Sequence, residues 1–326
     1  MAEQYVYEVT RVHMQERGLL NAQDMQQLIA SENPKEFCKI LNDKGWGAPE
    51  LPANDPEAIF AYEWNKTWAL IAEMMEDFTL FNVFRVANDY HNLKAAIKLA
   101  CSPDGERDVG AYFLPFGTID ADNIWKAAES FDFSSLPKDL AQAGREAYAV
   151  LSQTQSGQSC DVVIDRATLI AIDAEGARSE SRLLKLYAEL TVDTANIKAA
   201  VRCCLMKKDL PFIKMVIAPV GTLDTERLTV AAAKDLEAIF DCLKGSAYAG
   251  AADELKKSVP AFERWCDNQL IALIKPQKNN YFSLEPIAAF ILGRENEIKM
   301  ARLILSAKVN NLGDEALGER LRDTYV

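Results

Sequence analysis

The chain has 326 residues, of which 49% are hydrophobic and 26% charged, and 36 basic against 48 acidic side chains leave a net charge of −12. That composition excludes a disordered or fibrous chain, and the surplus of carboxylates argues against a nucleic-acid binder or electrostatic docking on anionic lipid, since both need a basic face. Only 15 glycines and 12 prolines serve this length, which favours long helices with few connections.

In chain order, the opening MAEQYVYEVTR carries two acids and no apolar core, unlike a secretory leader. An amphipathic helix containing His13 follows and runs to the turn at Gly18. From Pro56 to Ala100 breakers are almost absent. Ile59, Tyr62, Ala69, Leu70, Met74, Phe78, Phe81 and Phe84 recur at steps of three and four, predicting one amphipathic helix or two in tandem. Trp64, Trp68 and the three phenylalanines are expected in helix packing rather than in a ligand box. The longest uncharged run, Ala147–Cys160, is 14 residues and half polar, too short for a membrane span of about 18. Asp165–Lys207 is again helical, with AEGARSE as its weak point. VVIDRATLIAI and KMVIAPV are β-branched, yet neither has a hairpin partner nearby, so strands are rejected. In FSLEPIAAFILGRENEIKMARLILSAK, Ser283 is expected to cap a helix, Pro286 to sit in its first turn and Gly293 to interrupt it.

The sequence repeats itself. GLLNAQDM from Gly18, GTIDADNI from Gly117, GTLDTERL from Gly221 and NNLGDEAL from Asn310 share one template for a helix start. Asn21, Asp120, Asp224 or Gly313 would take the N-cap, with an acid or amide in the first turn. Leu20, Ile119, Leu223 and Leu312 are expected to be buried. A second landmark, DYHNLKAAIK from Asp89, returns as DTANIKAAVR from Asp193; Asn92 to Asn196 and Gly117 to Gly221 are both steps of 104. A weaker copy, ENEIKMAR, sets Glu297, Ile298 and Lys299 against Asn196, Ile197 and Lys198. Leu41 with Trp46 echoes Leu243 with Tyr248. These signals predict three similar helical units at 1–87, 88–191 and 192–326, the last with a C-terminal half-repeat that closes against the first.

Constellations for catalysis, cofactor or metal are not apparent. His13 and His91 stand alone, and the counterpart of His91 in the next landmark is Ala195. Metal-ligand spacings, a Walker loop, a dinucleotide fingerprint and a nucleophile elbow do not occur. Glu73, Glu76 and Asp77, and likewise Glu295 and Glu297, read as solvated carboxylates. Seven cysteines without a C-x-x-C pair suit reduced thiols in the cytoplasm, and Cys203–Cys204 reads as packed thiols rather than a redox pair. A helical repeat chain of this kind is expected to bind other proteins.

The C-terminal run resembles the C subunits of the archaeal and bacterial A/V-type ATPases, a family that includes the d subunits of vacuolar ATPases. Glu285–Pro286, Glu297–Ile298–Lys299, Arg302, Lys308, Asn310, Leu312 and Tyr325–Val326 carry the likeness there; Tyr187, Asp193, Asn196 and Arg202 carry it in the middle, and Tyr7 through Leu20 with Arg11 at the start. Cys101–Asp108 and DYHNLK depart from the pattern. The resemblance implies an all-α funnel of three similar units in pseudo-threefold arrangement. It implies a non-catalytic rotor subunit without cofactor, cytoplasmic and peripheral on the membrane, whose partners are the central shaft and the proteolipid ring. The alternative from the residues alone is a free-standing helical scaffold of another complex.

Overall fold

The computed structural model describes residues 5–52, 54–102, 109–313 and 317–326. Among these the secondary structure is entirely helical, with fifteen α-helices, four short 3₁₀ helices and no strand. The chain opens with α1 (Val6–Glu16), α2 (Ala22–Ala30), α3 (Pro34–Asp43) and α4 (Pro56–Met74). Then come α5 (Asn82–Ala100), α6 (Ala121–Ser130), α7 (Lys138–Thr154), α8 (Gly157–Arg178), α9 (Arg182–Leu205), α10 (Leu210–Val216), α11 (Thr225–Lys234) and α12 (Leu236–Leu243). The last three are α13 (Gly250–Lys257), α14 (Val259–Ile274) and α15 (Glu285–Val309).

The boundaries follow local chemistry. Asp55 caps α4 by accepting from the Ala58 amide, and Pro56 opens the helix where its missing N–H costs nothing. The long Pro56–Ala100 stretch is two tandem helices, and α8 and α9 separate at Ser179–Ser181, at the end of the weak point AEGARSE, with Ser181 capping α9. VVIDRATLIAI lies within α8, and KMVIAPV leaves α10 after Val216. The sequence run Cys101–Asp108 falls largely on residues 103–108, outside the described residues.

The molecule divides into two compact units, Met1–Phe78 with Gly250–Val326, and Thr79–Ala249. In the terminal unit, Leu28, Phe37, Leu41 and Phe60 pack with Ala301 and Ile304 of α15. That helix is buried on nearly every face from Pro286 to Ala301, apolar as far as Gly293 and then carrying Arg294, Asn296 and Glu297 into the interior. In the central unit, Leu93 and Ile97 of α5 pack with Ile124, Phe133, Cys160 and Ile164. Trp68 and Phe81 are fully buried and Trp64, Phe78 and Phe84 half-buried, in keeping with a packing role; Leu41, Trp46, Leu243 and Tyr248 are all buried.

Three local expectations fail. Ser283 does not cap α15: its hydroxyl is buried without a hydrogen-bond partner among the described residues, and the N-cap position falls to Leu284. Gly293 does not interrupt the helix. The Tyr325 ring is seated on it, so close that an added Cβ would lie 2.5 Å from Tyr325 Cδ1. Of the four template aliphatics Leu20 alone is buried; Ile119 and Leu223 are half-buried and Leu312 is 44% exposed. Part of that fourth template lies at 314–316, outside the described residues.

Candidate functional site

The three template turns whose surroundings are described are each held by a carboxylate from a long helix. On α5, Asp89 Oδ2 accepts from the Thr118 amide at 3.1 Å and hydroxyl at 2.5 Å, while Oδ1 accepts from the Ile119 amide at 3.1 Å. On α9, Asp193 Oδ1 accepts from the amides of Thr222 at 3.0 Å and Leu223 at 3.4 Å, and Oδ2 accepts from the Thr222 hydroxyl. On α15, Glu297 Oε2 accepts from the Leu20 amide at 2.7 Å. Asp89, Asp193 and Glu297 stand at equal steps of 104. Glu297 therefore plays the part of Asp193, and the register of the weaker copy is three residues away from the one that aligned Glu297 with Asn196.

The residue three positions on completes each hold. Asn92 donates to the Leu114 carbonyl at 3.0 Å and accepts from its amide at 2.7 Å. Asn196 does the same with Ala218, at 3.0 and 2.9 Å. At the third step stands Met300, whose Sδ accepts from the Arg322 amide at 3.1 Å. Each turn then starts a helix as the template predicted: Asn21 forms a capping box with Asp24, and the Asp120 and Asp224 side chains cap α6 and α11.

Glu297 is not a solvated carboxylate, because it is only 4% exposed. Its Oε1 takes a charge-assisted bond from Arg294, which also faces Glu63 Oε2 at 3.6 Å and stacks its guanidinium 5.2 Å from the Trp46 ring centroid. Glu63 in turn accepts from the Gly47 amide at 3.0 Å. Burial pushes Glu297 up to about 8; Arg294 and the Leu20 amide oppose this, and Glu63 and Asp24 add to it. Asp89 is also raised by burial, against the bonds it accepts and the charge of Arg85. Tyr248, placed against Asp193 and Thr222, is pushed far above the ordinary phenol range, chiefly by burial. These carboxylates are engaged with backbone amides, hydroxyls and Arg294; their geometry is that of fastening rather than of proton transfer to a ligand.

The remaining residues of the family pattern disperse. Tyr187 sets its ring edge-on to Phe84 at 4.8 Å. Pro286 is buried in the first turn of α15 beside half-buried Glu285. Arg302 pairs bidentately with Glu57 at 3.0 and 2.8 Å and lies over the Phe60 ring. Glu73 pairs with Arg11 at 2.9 Å. His13 bonds Glu16 at 2.7 Å and faces the Tyr281 ring; His91 meets the Tyr112 carbonyl at 3.3 Å, and burial lowers its pKa. Cys203 is buried and Cys204 half-buried, and burial raises both thiols. Among the described residues, no group of three or more His, Cys, Asp and Glu side chains converges as on a metal ion.

Arg202 lies elsewhere, on the rim of a groove in the central unit between α8, α9 and α10. This cavity of about 490 Å³ has an apolar floor of Val162, Leu169, Phe212 and Val216. Met206, at its edge, is 61% exposed. Among the described residues that line it, Arg166, Lys198, Arg202 and Lys208 are basic and Asp165 is acidic. On a chain of net charge −12 this basic rim is a local inversion. Sequence reading missed it because no run of basic residues marks it; α8, α9 and the turn before α10 together assemble it.

The sequence model of the family described as ATP synthase (C/AC39) subunit matches residues 9–320. The C subunit of the V-type sodium ATPase of Enterococcus hirae is 22% identical over 320 residues, covering 95% of this chain and 95% of that protein. The C subunit of the A-type ATP synthase of Methanocaldococcus jannaschii is 21% identical over 340 residues, covering 96% of this chain and 85% of that one. With the match spanning both compact units and all three held turns, the chain belongs to the ATP synthase (C/AC39) subunit family.

Proposed function

We propose that the chain is a non-catalytic rotor subunit of an A/V-type ATPase, joining the central shaft to the membrane proteolipid ring so that ATP hydrolysis or synthesis is linked to H⁺ or Na⁺ movement. The observation that carries this reading is the extent of the family match, residues 9–320. The two relatives are named as C subunits, one of a sodium ATPase and one of an ATP synthase, and the likeness runs over 95% and 85% of their lengths. It therefore concerns the whole named protein and not a shared module.

The physical design suits a mechanical link. A torque adaptor has to keep its shape under load, and here the acids and amides of the repeats are committed to holding turns. No helix among the described residues is long and apolar enough to cross a membrane. In this reading the protein is peripheral and meets the ring through the ring's cytoplasmic loops. The test is a pull-down of the full chain with purified shaft subunits, then assembly with a detergent-solubilised ring, at low and high salt. Binding to both, and loss of coupling between ATP hydrolysis and ion movement when the chain is omitted, is the expected result. Binding to neither overturns the rotor role, and full coupling without the chain makes it an accessory.

A further inference from the structure

A second cavity of the central unit, about 470 Å³, lies between α7, α8 and α10. Asp139, Ala143 and Glu146 line it from α7, and Val163, Arg166 and Ile170 from α8, each set on one face of its helix at steps of three and four. Met215 of α10 closes one side. Tyr90 of α5 also lines the cavity, although the residue is only 4% exposed. Among the described residues its hydroxyl has no hydrogen-bond partner, and Asp139 has neither a hydrogen bond nor an ion pair. Burial, with Asp139 and then Asp89 adding to it, pushes the Tyr90 phenol up to about 12, so it keeps its proton at neutral pH. Asp139 is thus near enough to act on the phenol without bonding it. The chain's own repeat shows that the fold does not require a phenol here. One step of 104 on, Thr194 stands in place of Tyr90 and donates to the Leu190 carbonyl of its own helix at 2.7 Å, and two steps on stands buried Ile298. An acid in the first turn of α7 suits the helix dipole, and Glu146 accepts from Gln142 at 2.9 Å. Neither accounts for a phenol of a buried residue left open beside a carboxylate.

We propose that this cavity binds a primary ammonium carried on an aliphatic stem, its N–H groups donating to Tyr90 Oη and to the Asp139 carboxylate and its stem lying on Val163, Ile170 and Met215. An ammonium has three donors and no acceptor, so it satisfies both oxygens at once. Charge favours it, because Asp139 and Glu146 against Arg166 leave the lining one negative charge in excess. Arg166 is itself tied through Nε to the Ile217 carbonyl at 3.3 Å, beyond the end of α10. The apolar side chains select methylenes over a bare ion, and the few polar groups fix the head. A free alkylamine and a lysine side chain of a partner protein present the same chemistry. The inference comes from the cavity and the repeat and does not depend on the rotor reading.

The experiment uses the full chain labelled at isoleucine and methionine methyl groups, so that Ile170 and Met215 report on the cavity in NMR titrations. The probes are n-pentylamine, its neutral counterpart n-pentanol, methylamine, which lacks the stem, and Nα-acetyl-lysine methylamide. n-Pentylamine is expected to shift both methyl groups saturably. Affinity is expected to fall about tenfold or more for n-pentanol and methylamine, and for n-pentylamine in Asp139→Asn and in Tyr90→Phe. Glu129→Gln, which removes an exposed acid of α6 outside the cavity, is expected to leave affinity unchanged and so to separate the site from the chain's overall negative charge. Asp139 is exposed, so its substitution leaves the core intact, and circular dichroism melts check Tyr90→Phe. Binding of the lysine derivative as well as the amine assigns the site to a partner's lysine; binding of the amine alone assigns it to a free amine. Shifts that never saturate, equal affinity for amine and alcohol, or indifference to Asp139→Asn overturns the proposal. Because no ATPase partner enters these titrations, their failure is separable from failure of the shaft and ring pull-down.

Discussion

The central and terminal units solve one problem, holding a turn against a long helix, with different chemistry. In the central unit the acid is an aspartate and the turn is local, 29 or 30 residues further along the chain. The carboxylate comes so close that a Cβ on Gly117 or Gly221 would lie 2.3 Å from an aspartate oxygen. In the terminal unit the acid is a glutamate one methylene longer, and its turn is 277 residues away. Gly18 there has nothing nearer to an added Cβ than the Gln15 carbonyl at 3.4 Å. The short side chain works by removing space; the long one works by reach, and sets a buried carboxyl against Arg294. Closing the two chain ends on one helix thus costs a buried ionic network that the local turns avoid.

The sharpest test of that contrast is truncation of the acids. Glu297→Ala leaves Arg294 without its closest partner and the Leu20 amide unsatisfied, so unfolding free energy is expected to fall by about 3–5 kcal/mol. Asp193→Ala orphans turn amides and a hydroxyl but no buried cation, and about 1–3 kcal/mol is expected. Urea titration of both variants decides; equal losses would break the comparison.

Titration gives the next effect. Glu297 is raised from its ordinary 4.5 to about 8 by burial. The unfolded chain therefore releases this proton near 4.5 while the folded chain keeps it until about 8. Between those values this group makes stability fall as pH rises, at a slope of at most about 1.4 kcal/mol per unit. Glu297→Gln keeps an acceptor for the Leu20 amide and removes the titration, so its stability profile is expected to lack that slope. An unchanged profile in the variant would place the proton elsewhere.

Backbone space comes third. Gly221 has φ +98°, where an L side chain is strained whatever the room. Gly221→Ala is expected to cost about 1–3 kcal/mol, and Gly18→Ala, with no such φ and no near neighbour, to stay within about 0.5 kcal/mol. Thermal melts under one buffer compare them directly.

Much of this frame was legible in the sequence. The step of 104 and the capping residues Asn21, Asp120 and Asp224 follow from short-range chemistry, and local strings report short-range chemistry faithfully. Glu297 was hidden for the opposite reason. Its burial is decided by Arg294, Glu63 and an amide 277 residues away, none of which alters the periodicity of its own helix. One signal could have found it, since the step from Asp89 to Asp193, taken again, lands on Glu297. Local likeness to Asn196 pulled the register aside. Gly293 misleads similarly: a glycine reads as a break until Tyr325, at the far end of the chain, is seen seated on it. The groove left no mark because α8, α9 and α10 each contribute residues that look ordinary on their own helix.

The smallest effect concerns Arg302, the terminal-unit counterpart of Lys198. Its pair with Glu57 has good bidentate geometry, yet the two side chains are 50% and 61% exposed. Water and salt screen such a pair, so Glu57→Gln is expected to cost at most about 1 kcal/mol and to cost less as salt is added. Arg302→Ala should cost somewhat more, because the guanidinium also covers the Phe60 ring at 5.4 Å. A double-mutant cycle separates the two contributions, and a coupling above about 2 kcal/mol would mean that the exposed pair is a structural fastening like Glu297.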